Sequence, residues 1–97
     1  MSKFGLAEEV VNNIVDILKK YEEVESAKIF GSRARGNYKE TSDIDLAVLN
    51  EISRDEQYRI MNEIDLLDII YKIDIVFVDS NTKLELVESI KRDGVEF

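Results

Sequence analysis

Apolar positions recur at helical spacing near the start of the chain. Leu6, Val10, Ile14 and Leu18 come every four residues, with Val11, Val15 and Tyr21 alongside, while Glu8, Glu9, Asn12, Asn13, Asp16, Lys19 and Lys20 fill the other side. A stripe of that width is the buried face of an amphipathic helix, predicted over residues 6–21. The period then changes. Ser26-Ala27-Lys28-Ile29-Phe30 is short and ends at Gly31, which predicts a strand entering a tight turn, followed by a brief helical turn over 33–36 and a loop over 37–42. Over residues 43–49 the period is two, with Ile44, Leu46 and Val48 on one face and Asp43, Asp45, Ala47 and Leu49 on the other. One face is expected to pack on helices and the other to hold carboxylates.

Ser53-Arg54-Asp55-Glu56 has the form of a capping box, the Ser53 hydroxyl accepting from the Glu56 amide while Glu56 reaches back. A second helix is predicted from there to Leu67, with Ile60, Met61, Ile64 and Leu67 facing the core. Residues 72–78 are rich in β-branched side chains and predict a strand on which Asp74, Val76 and Val78 share a face. Asn81 or Thr82 is expected to cap a last helix, with Leu84, Val87 and Ile90 at helical spacing and Gly94 at its end. The order helix, strand, strand, helix, strand, helix predicts an α/β (α+β) fold, a small mixed sheet with helices packed on it. Whether neighbouring strands run parallel is open at this level. Sheet edges and the apolar Val95 and Phe97 offer surfaces for assembly.

Ninety-seven residues, 44% of them apolar, make a single domain over 1–97, with an expected radius of gyration of roughly 13 Å and no room for a second catalytic domain. No run approaches the ~20 apolar residues that span a bilayer, and the N-terminus has no secretory leader pattern, so a cytoplasmic protein is expected. The chain has no cysteine and no histidine, which excludes disulfides, the usual zinc sites, thiol nucleophiles and imidazole bases. Carboxylates, hydroxyls and basic groups must carry any chemistry. The net charge of −8 argues against a protein whose main task is gripping a nucleic-acid backbone. The densest basic group is Arg33, Arg35 and Lys39, suited to a small anion such as a triphosphate.

The strand period places Asp43 and Asp45 on one face, roughly 6–7 Å apart, and a neighbouring strand at 72–78 would add Asp74. Two such charges ~6 Å apart repel by roughly 3 kcal/mol at an effective dielectric of 20, about two pKa units, so the cluster calls for a cation. Hard oxygen ligands with room for water and phosphate suit Mg²⁺ or Mn²⁺. Two ions bridged by the carboxylates would activate an attacking oxygen and stabilise a leaving pyrophosphate. At the other end, Gly31 allows close approach of backbone to a ligand, and the Ser32 hydroxyl with successive amides of a helical turn makes an anion cradle. Arg35 and Arg33 are the candidate guanidinium contacts to phosphate oxygens.

Gly31-Ser32, ten residues, then Asp43-x-Asp45, with Arg35-Gly36 in the gap and Asp74 in a later strand, resembles the nucleotidyltransferase superfamily that includes DNA polymerase beta. The likeness covers about residues 26–78, and the absence of a further domain makes it similar to the minimal nucleotidyltransferases. The resemblance implies that Ser32 binds the triphosphate, that Asp43 and Asp45 bind both metal ions, and that Asp74 completes the metal site and acts as base. It implies transfer of a nucleoside monophosphate to a hydroxyl with release of pyrophosphate. Stand-alone members are commonly antitoxins of RNA-cleaving HEPN toxins, in some systems adding AMP to a tyrosine. On that pattern ATP with Mg²⁺ is the donor and a HEPN protein the acceptor and partner. Two alternatives stand beside it: a binding module that neutralises by complex formation alone, and one subunit of a small-molecule nucleotidyltransferase. Outside this set, Tyr38 and Lys39 read as loop surface, Asp79 as a turn residue, Asp55, Glu63, Asp65 and Asp68 as a solvated helix face, and Tyr21, Tyr58 and Tyr71 as packing residues.

Overall fold

The first amphipathic stripe becomes a helix over Glu8–Lys19 (α1) in a computed structural model that describes residues 4–96. Val11, Ile14, Ile17 and Leu18 are its buried side chains, and Glu8 and Glu9 at its start and Lys19 at its end suit the helix dipole. Leu6 is buried as well but precedes the helix, following a turn in which Phe4 and Gly5 both take left-handed backbone, with φ of 60° and 69°. Seven further elements follow: Ala27–Phe30 (β1), Gly31–Arg35 (α2), Ile44–Val48 (β2), Arg54–Asp65 (α3), Ile73–Phe77 (β3), Leu84–Asp93 (α4) and Val95–Glu96 (β4).

The sheet order is β3-β2-β1-β4. β1 runs antiparallel to both β2 and β4, and β2 runs parallel to β3, so the sheet is mixed, as expected. A parallel pair needs a long crossover, and α3 supplies it between β2 and β3. The fourth strand was not expected. Its two residues pair as Lys28↔Glu96 and Ile29↔Val95, too short a run to show any period. Phe97 lies outside the described residues.

Ile29, Ile44, Leu46 and Val48 face the main core, closed by Leu6, Val11, Ile14, Ile17 and Leu18 from the N-terminal segment and Ile60 and Ile64 from α3. On the opposite face Phe30 and Ala47 bury against Ile90 of α4, with Leu49, Val76, Val78 and Leu86 packed around them. The face that carries the aspartates is thus also partly covered by a helix.

Several local expectations are corrected. Met61, expected in the core, is 42% exposed, and Leu84 is 68% exposed, because α4 presents Leu86 and Ile90 to the sheet instead. Tyr58 is also exposed rather than packed. Neither Asn81 nor Thr82 caps α4: its N-cap is Lys83, without a side-chain hydrogen bond, because Thr82 is engaged in the preceding turn. There the Asp79 amide donates to Thr82 Oγ1 at 2.9 Å and the Asn81 amide to Asp79 Oδ1 at 2.8 Å. The capping box is half realised. Ser53 Oγ accepts from the Glu56 amide at 3.3 Å, but the Ser53 amide donates to Glu23 Oε1 at 2.8 Å, so a residue from the α1–β1 connection fills the role expected of Glu56. Glu63 is not a solvated carboxylate, since Lys20 and Tyr21 both donate to it and tie α3 to the end of α1. That hydrogen bond to Glu63 is the main cause holding the Tyr21 hydroxyl above its ordinary pKa.

Candidate active site

The turn after β1 is a product of backbone sterics. Phe30 is extended, Gly31 takes the left-handed φ of 73°, and α2 begins there. Glycine suits this position because the left-handed conformation disfavours a side chain, and a Cβ at Gly31 would also meet Oδ2 of Asp45, which would have to shift. The antiparallel register pairs Phe30 with Asp45, which is what lays that carboxylate against the turn. Ser32 follows at the head of α2, half-buried, and Gly36 closes α2 in left-handed conformation with its amide donating to the Ser32 carbonyl at 3.0 Å.

The parallel register pairs Asp45 with Asp74, so the two aspartates sit on adjacent strands spaced by roughly 4.8 Å. Asp43 lies two residues earlier, exposed, just before β2. Burial first, then the negative charges of Asp74 and Asp43, push the Asp45 carboxyl above its ordinary pKa, against the opposing pull of Arg35 and Lys72. Lys72 Nζ stands 3.6 Å from Asp74 Oδ1, an exposed pair of little energetic weight. Among the described residues no three acidic side chains gather closely enough to enclose a cation. The aspartates form an open set with surplus negative charge. Hard carboxylate oxygens in that arrangement fit a divalent ion that keeps water and phosphate oxygens among its ligands.

The two arginines of the turn part company. Residues two apart on a helix point about 200° from each other, so Arg33 and Arg35 cannot share a target. Arg33 is 1% exposed and turns inward. Its Nε donates to the Ser42 carbonyl at 3.0 Å, Nη1 to Phe4 O at 3.1 Å and Nη2 to Glu40 O at 3.1 Å. The expected phosphate contact from Arg33 is therefore corrected: its donors are occupied by main chain. Tyr38, expected to be plain loop surface, lies over this guanidinium, 5.2 Å from ring centroid to Cζ, and Tyr71 over it at 4.7 Å. Arg35 turns outward and pairs with Asp93 Oδ2 of α4 at 3.2 Å, its side chain still 42% exposed. Hydrogen bonds from Arg92 and Arg35 hold the Asp93 carboxyl below its ordinary range.

The structure thus gathers Gly31, Ser32, Asp43, Asp45 and Asp74 around one end of β2, with Arg35 beside them. Lys72 and Asp93 were not singled out in the sequence. Lys72 carried a weak signal, a cation two positions before Asp74 on a strand.

Residues 12–97, which include every candidate site residue, match the family model of polymerase beta nucleotidyltransferases ("Polymerase beta, Nucleotidyltransferase"). The chain belongs to the polymerase beta nucleotidyltransferase family. No curated protein matches it significantly by sequence. Among solved structures, a putative nucleotidyltransferase from Sulfolobus solfataricus is 27% identical, with a TM-score of 0.60, over 92% of this chain and 77% of that one. A toxin–antitoxin complex with AMP-PNP contains a chain 22% identical, TM-score 0.68, over 88% of this chain and 69% of that one. A complex of tri-AMPylated HEPN toxin with MNT antitoxin from Shewanella oneidensis contains a chain 20% identical, TM-score 0.60, over 88% and 66%. The last two likenesses are of fold. In this member of the family the described residues form four strands and four helices.

Proposed function

We propose that this protein transfers a nucleoside monophosphate, AMP from ATP, to a hydroxyl of a partner protein in a divalent-cation-dependent reaction, and that the partner is a HEPN toxin which it neutralises as an antitoxin. The observation that carries the reaction is the placement of Asp45, in register with Asp74, directly against the Gly31-Ser32 turn. Carboxylates and an anion cradle then lie side by side, as a nucleotide with bound cation requires. Fold likeness to chains from toxin–antitoxin complexes, one with AMP-PNP and one with an AMPylated toxin, supports the donor and the partner.

In this reading Ser32 and the amides at the head of α2 hold the triphosphate, and Arg35 contacts its oxygens from the exposed side. Asp43, Asp45 and Asp74 would hold Mg²⁺, with Mn²⁺ able to replace it and two ions accommodated. The bound cation supplies neutralisation of phosphate charge and acidification of the acceptor hydroxyl. The acceptor oxygen attacks the α-phosphorus, the bond from that phosphorus to the bridging oxygen breaks, and pyrophosphate leaves. In this scheme Asp74, whose carboxylate is 47% exposed, takes the hydroxyl proton. ATP supply implies a cytoplasmic setting for a single minimal domain, and nothing in the scheme calls for stable nucleic-acid binding. Among the described residues no helix is long and apolar enough to cross a membrane.

The test incubates the protein with Mg²⁺, a HEPN protein encoded beside it, and ATP labelled at either the α- or the γ-phosphate. Label on the HEPN protein from the α position only, absent with Asp43→Asn, is the expected result. Stable complex with no label from either position would replace transfer by neutralisation through binding alone.

A further inference from the structure

The guanidinium of Arg33 is the largest fully buried polar group among the described residues, and it is not needed for phosphate contact. Its environment is made of main chain and rings. Beside the three short bonds to Ser42, Phe4 and Glu40, it reaches the Gly5 and Lys39 carbonyls at 3.5 Å each. The left-handed backbone of Phe4 and Gly5 turns their carbonyls to it, and the Tyr38 ring that covers it also lies so close to Gly5 that a Cβ there would collide with the ring. A buried cation is tolerated where its donors are met, and here main-chain carbonyls and ring faces meet them.

Its geometry explains the placement. The Ser42 carbonyl, which Nε holds, belongs to the residue before Asp43. Tyr71, whose ring also lies over the guanidinium, is three residues before Asp74, and the intervening Lys72 carbonyl accepts from the Ile44 amide at 2.9 Å. Arg33 itself is one residue after Ser32 on α2. A single planar group thus joins the phosphate turn to the entry points of both aspartate-bearing strands. Residues 37–41, between Gly36 and Ser42, are exposed and lie outside any helix or strand; a turn in which the Ser42 amide donates to the Lys39 carbonyl and the Lys39 amide to Ser42 Oγ shapes their end, and Arg33 ties that turn to α2.

We propose that Arg33 is a positioning residue, which sets the spacing between the Gly31-Ser32 turn and the carboxylates of Asp43, Asp45 and Asp74 by clamping the loop between them. The proposal rests on the reading of those aspartates as cation ligands. It requires arginine specifically. Lysine keeps the charge but is a point donor with three protons, unable to serve the carbonyls of Phe4, Glu40 and Ser42 together or to present a planar cation to the rings.

The experiment measures Mn²⁺ binding by electron paramagnetic resonance, with thermal unfolding and amide hydrogen exchange, on the wild type, Arg33→Lys, Tyr71→Leu and Asp45→Asn. Expected for folded Arg33→Lys is Mn²⁺ affinity lower by about tenfold, the usual size of a ligand-orienting contact, and faster exchange of the Ile44 amide. Tyr71→Leu should show the same two changes at about fivefold or less, the scale of one cation–π contact. A purely structural arginine would lower the melting temperature and leave the Mn²⁺ affinity of the folded protein unchanged, and that result overturns the proposal. If Arg33→Lys does not fold, Tyr71→Leu decides in the same way. Asp45→Asn separates the two ideas. Loss of Mn²⁺ binding there with wild-type affinity in Arg33→Lys rejects the positioning role alone, whereas wild-type affinity in Asp45→Asn rejects the ligand reading and the proposal with it.

Discussion

The two faces of the sheet are built to different depths. Toward α1 and α3 the strands present Ile29, Ile44, Leu46 and Val48, all fully buried, to a core closed by two long helices. Toward α4 the fully buried set is only Phe30, Ala47 and Ile90, with Leu49, Val76, Val78 and Leu86 partly buried around it, and one end of that face goes to Asp45, Asp74 and the Gly31-Ser32 turn. Each strand alternates between the two faces, so the same residues that fill the deep core hold the carboxylates out on the shallow side. The lesson is one of allocation. Cohesion concentrated on one face lets the other tolerate adjacent like charges and an open cleft.

The change that should break this division most sharply is Asp45→Asn. Transfer should fall by about a thousandfold or more, since a carboxylate of the proposed cation site is lost, while metal-free stability stays equal or rises slightly as repulsion from Asp74 and Asp43 is relieved. Labelled transfer and thermal unfolding in a chelator read both. A rate near that of the wild type would remove the cation site from the account.

The depth of the faces is tested by the same truncation on each. Ile60 and Ile90 are both buried, at 0% and 1% exposure. Alanine at Ile60 should cost about 4 kcal/mol and at Ile90 about 2 kcal/mol, because the thinner layer under α4 relaxes or admits water more easily. Denaturant titration of the two variants checks it, and equal losses would show that the faces are not mechanically distinct. Ser32→Ala is a smaller change, expected to weaken ATP affinity by about tenfold, the scale of one hydrogen bond to a charged group, with stability unchanged. Calorimetric titration with AMP-PNP measures it.

The pH dependence is smaller still. The folded Asp45 pKa lies above the unfolded value of about 3.9, so between the two values the folded chain binds the extra proton and stability declines as pH rises. In metal-free solution the wild type should therefore lose ground to Asp45→Asn as pH rises from the unfolded value through the higher folded one, and the gap should close below the unfolded value. A gap independent of pH would mean that Asp45 titrates as an ordinary surface carboxylate.

Legibility followed length and period. Residues 43–49 alternate cleanly, and Ile44, Leu46 and Val48 do fill the core. A two-residue strand at Val95–Glu96 has no period to read. The direction of β3 relative to β2 depends on the path of α3, and it is this parallel register that brings Asp74 beside Asp45. Chemical type alone did not separate Arg33 from Arg35, although their spacing of two within a helical turn carried the information that only one could face outward. Glu23 taking the place of Glu56 at Ser53, and Glu63 serving Tyr21 and Lys20, are contacts between residues thirty and more positions apart. Local patterns do not encode such pairings.

The central claim is that a nucleotide and its cation bind on the shallow face, between the Gly31-Ser32 turn and the paired aspartates. The most direct measurement is paramagnetic broadening of backbone amide resonances by Mn²⁺ in the presence of AMP-PNP. Broadening centred on Gly31, Ser32, Asp43, Asp45 and Asp74, with the amides of α1 and the outer turns of α3 spared, is the predicted result. Broadening centred on α1 and α3, or none at concentrations that saturate ATP-dependent transfer, would contradict it.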